Sequence, residues 1–145
     1  MVQVRKVQYS FLFLLILTFL LAGSTSLQIR EKPSWPLLVT QIRVEGYDGN
    51  EPLSRLYIQP EKTGTMLNYL RWLRRRGTPD TDPEQLDGSR FDITLYYSNG
   101  QIRVYRQRSG LYFSKHFRPW EKIDPEQSQY LLPILRAMPS DEEGS

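Results

Sequence analysis

The sequence predicts an α+β domain: an antiparallel sheet of about five strands with two helices packed on one face, behind an N-terminal apolar segment. Three observations carry this expectation. Residues 91–105 hold two runs of branched and aromatic residues on either side of Asn99-Gly100, the signature of a β-hairpin. Residues 63–76 and 125–137 space their apolar side chains at helical intervals instead. At the start of the chain, Arg5 and Lys6 precede an apolar run from Phe11 to Leu21, interrupted only by Thr18, that closes on small residues, Ala22 to Ser26.

That opening fits an export segment over residues 1–26, either a cleaved signal peptide or a retained signal anchor. The apolar run falls short of the roughly 20 residues that cross a bilayer comfortably, and no clean Ala-x-Ala cleavage site is present. Leu21-Ala22-Gly23-Ser24 resembles the end of a lipoprotein signal, but a serine stands where the lipid-bearing cysteine would be, and the chain has no cysteine. Disulfides, thiolate metal sites and cysteine nucleophiles are excluded with it. Residues 27–36 contain Pro33 and Pro36 and read as an extended linker.

A single domain is expected over 37–140. Leu37 to Glu45, rich in branched residues, opens it as a strand. A turn at 46–50 leads to a second strand, Ser54 to Ile58. Thr63 to Arg76 is expected as a helix with Met66, Leu67, Leu70 and Leu73 in one stripe, stopped by Gly77, with Arg74, Arg75 and Arg76 complementing the negative end of its dipole. A two-residue turn at Asn99-Gly100 would pair Tyr97 with Ile102 and Leu95 with Val104 on one face. Tyr96 would then pair with Arg103, and Thr94 with Tyr105, on the other. Leu111 to Phe117 supplies a further strand. Residues 125–137 form the last helix, with Leu131, Ile134, Leu135 and Met138 on one side and Pro133 bending it or ending it early. The order is β-β-α-β-β-β-α, and 141–145 reads as an acidic disordered tail.

The tetrapeptide Asp-Pro-Glu-Gln occurs twice, at 82–85 and 124–127. Aspartate caps the first turn, proline tolerates the next position, and glutamine can reach back to complete a capping box. Calcium is the rival for the first copy, through Asp80, Asp82, Glu84 and Asp87. However, Gln85 stands where a calcium loop needs glycine, and Phe91 where it needs an acid. Two helix-start signals explain the pair, and neither metal nor cofactor is expected.

Without Arg5 and Lys6 the chain has 17 basic and 16 acidic side chains. A surface this balanced provides no long-range attraction for nucleic acid, which is not expected as a partner. His116 is the only histidine. Ser114 lies two residues away, but no acid can be named to orient the histidine, and none of the hydrolase, metalloprotease or phosphate-loop motifs is present. No catalytic residue is assigned. Trp120 reads as core packing. The remaining candidates form an interaction surface: Trp72, Arg75 and Arg76 at the end of the first helix, with Tyr96, Arg103 and Tyr105 on the hairpin. Tyrosine, tryptophan and arginine are the types enriched where proteins meet partners, although they also pair on ordinary solvent-facing sheets.

Tyr69-Leu70-Arg71, Gly77-x-Pro79-x-Thr81-Asp82-Pro83-Glu84, Tyr105-Arg106-Gln107 and Pro119-Trp120-x-x-Ile123-Asp124 resemble small, uncharacterised exported or membrane-anchored α+β proteins of Gram-positive bacteria, across roughly residues 39–140. The resemblance implies display on the outer side of the cytoplasmic membrane, or secretion if the leader is cleaved, and brings no site residue with it. Two readings follow from sequence. In the leading one, a non-enzymatic module contacts an envelope protein or anionic polymer. In the alternative, an exported domain binds a small ligand or peptide, with a hydrolase a more distant third. A flat Tyr/Arg face would favour the first, and a concave apolar pocket with convergent polar groups the second.

Overall fold

The computed structural model describes residues 37–144, with side chains through residue 142. The segments expected as leader (1–26) and linker (27–36) lie outside the described residues. Seven antiparallel strands form one sheet: β1 (Val39–Asp48), β2 (Glu51–Tyr57), β3 (Arg75–Gly77), β4 (Arg90–Tyr97), β5 (Ile102–Arg108), β6 (Tyr112–Lys115) and β7 (Glu121–Ile123), in the spatial order β2-β1-β4-β5-β6-β7-β3. Helix α1 (Pro60–Trp72) follows β2, and two short helices, α2 (Pro125–Ser128) and α3 (Leu131–Ala137), follow β7. The α+β class and the antiparallel sheet are as the sequence predicts. The strand count is not, because β3 and β7 are three residues each, too short to leave a periodic signal.

Three departures shape the site. First, α1 ends at Trp72, not at Arg76, so Arg74–Arg76 do not lie in its last turn. Leu73 is extended (φ −57°, ψ 122°), and Arg75–Gly77 pair with β7 as the sheet's outermost strand. The cause is Gln127, 4% exposed. Its Nε2 donates to the Trp72 carbonyl (2.9 Å), and its Oε1 accepts from the Arg74 amide (2.6 Å). These bonds satisfy backbone groups that a longer helix would have paired internally. Gln127 therefore joins α2 to the end of α1 and does not complete the expected capping box.

Second, the β4–β5 hairpin turns through three residues. The Gly100 amide donates to the Tyr97 carbonyl (2.9 Å), the Tyr97 amide donates to the Gln101 carbonyl (2.9 Å), and only Gly100 is left-handed (φ 80°). This is a type I turn closed by a bulge at glycine. It shifts the expected register by one residue: Leu95 opposes Arg103, Ile93 opposes Tyr105, and Tyr96 opposes Ile102. A one-residue slip exchanges faces.

Third, the last helix is divided at Gln129–Tyr130. Pro133 has no N–H to offer the Gln129 carbonyl, so a continuous ladder is lost there. Both aspartates of the repeated tetrapeptide do cap: Asp82 accepts from the Glu84 amide (3.1 Å) and Asp124 from the Glu126 amide (3.2 Å).

The core lies between the helices and one sheet face. Ile42, Val44, Tyr57, Phe91, Ile93, Leu95 and Phe113 meet Met66 and Tyr69 of α1 and Leu131 and Leu135 of α3. Gly46 sits inside β1 because a Cβ there would stand 1.8 Å from the Arg90 carbonyl oxygen. The expected acidic tail is docked at its first residue. Asp141 accepts from the Ile58 (2.7 Å) and Gln59 (3.0 Å) amides and pairs with Lys62, while Ser140 accepts from the Leu56 amide (2.9 Å). The free side of β2 is thereby partly covered, which protects an exposed edge.

Candidate cleft on the helical face of the sheet

Because side chains alternate along a strand, the observed register sorts the candidates onto two faces. Arg103 and Tyr105 share the helical face with Leu95, Tyr97, Phe113, Lys115, Glu121, Ile123 and Arg75. Tyr96 points to the other face, with Ile102, Val104, Arg106 and Arg108. The expected Tyr96–Arg103–Tyr105 surface is therefore split between the two faces. Trp72 stands apart at the end of α1, its ring 5.4 Å from that of Tyr130. Arg76 pairs with Asp124 (2.5 Å), and this hydrogen bond is the chief reason the Asp124 carboxyl is held below its ordinary value. Three of the six candidates, Arg75, Arg103 and Tyr105, meet in one cleft.

The cleft has a volume of about 950 Å³, at the upper end of the range for small-molecule sites. Its floor is Leu95, Tyr97, Tyr105 and Phe113. Its wall is the flank of α1 carrying Gly64, Leu67 and Arg71, with Leu70 and Leu73 beside them, and Leu37, Leu38 and Ile58 close one end. The helix explains why this flank is open. Thr63, Met66 and Tyr69 turn into the core, whereas residues at i, i+3 and i+7 from Gly64 form a neighbouring stripe. A Cβ on Gly64 would meet nothing within 4 Å.

Four cations line the cleft against one carboxylate: Arg71, Arg75, Arg103 and Lys115 against Glu121. Arg75 and Glu121 pair with each other at 2.7 Å. Arg103 and Lys115 are held over aromatic rings instead, 5.5 Å from the Tyr97 centroid and 5.9 Å from the Tyr105 centroid. Among the described residues neither has an ion-pair partner. Lys115 opposes Tyr105, so Arg103 is its diagonal neighbour, about 7–8 Å away across the pair. One anionic group could engage both. The floor backbone is paired along β4 and along Tyr105–Arg108 of β5, whereas Ile102 and Arg103 have no ladder partner on the β6 side and Ser114 and Lys115 none on the β7 side.

The opposite face is filled from within the chain. Glu84 pairs with Arg106 (3.1 Å) and Arg108 (3.0 Å), and Asp92 with Arg108 (3.0 Å). Trp120, expected in the core, lies under these guanidiniums, 4.8 Å and 5.5 Å from its ring. Asp80 pairs with Lys122 at 2.6 Å. Two of the carboxylates considered for calcium are thus turned to cations of the sheet. Among the described residues no three or more acids or histidines are grouped as a metal site would need. Ser114 is 1% exposed, donates to the Arg118 carbonyl (2.6 Å) and accepts from Arg106 (3.2 Å). His116 sits in an exposed turn, and no ion pair or hydrogen bond joins it to a carboxylate among the described residues.

Sequence reasoning missed Lys115, Tyr97, Leu67 and Arg71 as cleft residues. The available signal was the excess apolar width of α1: Leu67 widens the stripe beyond what one core face uses. Among the described residues no helix is long and apolar enough to cross a membrane. No family model, curated protein or solved structure matches the chain.

Proposed function

We propose that this domain is a binding module whose cleft beside α1 takes an elongated anionic amphiphile, an alkyl chain ending in a carboxylate or phosphate. The observation that carries this reading is the pairing of an apolar trough with two cations, Arg103 and Lys115, that have aromatic supports but no carboxylate partners among the described residues. A buried anion would supply the charge-assisted bonds those cations lack. An amphiphile needs only the trough and the two cations, whereas a peptide's amides would find unpaired strand backbone in the floor only at Ile102–Arg103 and Ser114–Lys115. The macromolecular reading of the Tyr/Arg surface loses its premise once Tyr96 faces away from Arg103 and Tyr105. Placement outside the cytoplasmic membrane rests on residues 1–26 and on the resemblance to exported proteins.

The test is calorimetric titration of the full chain in nanodiscs with single-chain amphiphiles below their micellar concentrations. Decanoate and decyl phosphate are expected to bind, and decyltrimethylammonium is not. Arg103→Glu with Lys115→Glu is expected to weaken binding by about tenfold or more, since a hydrogen bond to a charged group contributes about 1.5–3 kcal/mol. Gly64→Trp should block the trough without unfolding the helix. Equal binding of cation and anion, or no loss in Gly64→Trp, would refute the assignment.

A further inference from the structure

Large apolar side chains left in solvent are concentrated at one end of the domain. Five of them, Leu37, Leu38, Ile58, Ile102 and Phe117, lie where β1 begins, β2 ends, β4 turns into β5 and β6 turns into β7, which in an antiparallel sheet is a single end. The Ser98 amide donates to the Leu38 carbonyl (2.8 Å), fixing the start of the domain beside the β4–β5 turn. Tyr47, Trp72 and Tyr130, the other large apolar side chains exposed among the described residues, lie elsewhere. Tyr47 is in the far turn of β1, and Trp72 is at the far end of a 13-residue helix, roughly 20 Å along its axis.

Phe117 is the extreme case, at 85% exposed. His116 (φ 45°) and Phe117 (φ 64°) are both left-handed in the turn after β6, closed by the Arg118 amide on the Lys115 carbonyl (3.0 Å). Asparagine and glycine ordinarily occupy such a turn. Here two strained non-glycine residues place the Phe117 ring in solvent, with the His116 ring 4.9 Å from it. Cations surround these apolar groups: Arg103, Lys115 and Arg118, with Lys62 nearby. The acids nearby among the described residues are Glu61, Asp141, Glu142 and Glu121, of which Asp141 is tied to Lys62, Glu142 to Arg43 and Glu121 to Arg75. The chain enters the domain at this end, through residue 37. The ten residues 27–36 can reach at most about 35 Å from the apolar segment that precedes them.

We infer that this end of the domain rests on an anionic lipid bilayer, with Phe117, Ile102, Leu37 and Leu38 entering the headgroup region and Lys115 and Arg118 meeting lipid phosphates. Apolar tips in a basic surround are what an interfacial contact requires, and a short tether to a membrane segment keeps the tip at high local concentration. The inference shares with the proposed function its placement at a membrane and the cleft-lining residues Leu37, Leu38 and Lys115, but it is carried by the exposed tips Phe117 and Ile102, which do not line the cleft. An empty cleft would leave it standing.

The cysteine-free chain permits a direct test. Phe117→Cys, Ile102→Cys and the control Tyr47→Cys are each labelled with a nitrobenzoxadiazole probe in the full chain. The proteins are then reconstituted into phosphatidylcholine vesicles with and without phosphatidylglycerol, and lipid-borne nitroxides serve as quenchers. Quenching at positions 117 and 102 is expected to exceed that at 47 by about threefold or more, and most with phosphatidylglycerol present. A companion variant, Phe117→Gly, relieves the left-handed backbone. It should raise the melting temperature while reducing lipid quenching at position 102. Quenching at 117 no stronger than at 47 overturns the inference. So does a label at 117 shielded from aqueous iodide yet untouched by the lipid quenchers, which would mean that a protein covers the tip.

Discussion

Replacing Tyr69 with phenylalanine should make this protein more stable. Tyr69 is 4% exposed, packs edge-on to Phe113 with ring centroids 6.4 Å apart, and carries a hydroxyl that finds no hydrogen-bond partner among the described residues. Burying such a group unpaired costs about 1–3 kcal/mol relative to its hydrated state in the unfolded chain. Phenylalanine keeps the ring, its aromatic contact and its apolar area, and deletes only the unpaired oxygen. A gain of about 1 kcal/mol is expected, equivalent to a rise in melting temperature of roughly 5 °C for a domain of this size. Urea titration followed by tryptophan fluorescence reads it as a higher midpoint with an unchanged slope. Alkaline titration gives a second, independent reading. Burial raises the Tyr69 pKa above the ordinary phenol value of 10.0, so the folded state keeps a proton that the unfolded state releases. Ionisation of this phenol in the unfolded chain therefore adds no pH dependence below pH about 10, and stability falls as pH rises beyond it. Tyr69→Phe should flatten the alkaline limb. A loss of about 1 kcal/mol on substitution would refute the reasoning, because it would mean that the hydroxyl is hydrogen-bonded.

Gly46→Ala should be severely destabilising. Its Cβ would stand 1.8 Å from the Arg90 carbonyl, where an ordinary carbon–oxygen contact is about 3.3 Å. β1 and β4 would have to separate at the centre of the sheet, at a cost of about 3 kcal/mol, and thermal melting would show whether they do. Asp141 is held at a pKa of about 2, chiefly by the Ile58 amide and then by Lys62 and the Gln59 amide. Its folded pKa is below the unfolded value of about 3.9, so its stabilisation is present above pH about 4 and is lost as pH falls through about 2. Asp141→Asn should remove that acid dependence, and comparison of the two acid-unfolding curves checks it.

Much of the fold was legible because it depends on local rules. The Asp82 and Asp124 caps, the burial of Met66, Leu131 and Leu135, and the branched runs of β1, β4 and β5 each follow from a few neighbouring residues, although the buried face of α1 is Thr63, Met66 and Tyr69, and not the expected stripe of Met66, Leu67, Leu70 and Leu73. Three-residue strands were not legible, since Arg75–Gly77 and Glu121–Ile123 each hold fewer residues than two periods of alternation need. The arginines after Trp72 read as a helix end because arginine is a good helix former and Gly77 a plausible stop. Nothing nearby reveals that Gln127, more than fifty residues on, will take the Trp72 carbonyl and the Arg74 amide.

By itself, the sequence determined the class of the domain, the helix start at Asp124 and the absence of cysteine chemistry, all of which composition and short-range periodicity specify; the first helix, expected from Thr63, begins at Pro60. Only the tertiary structure decided which side chains meet. One additional residue in the 98–100 turn moves Arg103 and Tyr105 to the helical face and leaves Tyr96 on the other, and with that shift the cleft acquires its cations. Faces alternate at every residue along a strand, so the register of a single turn, a difference of one peptide unit, decides what the site contains.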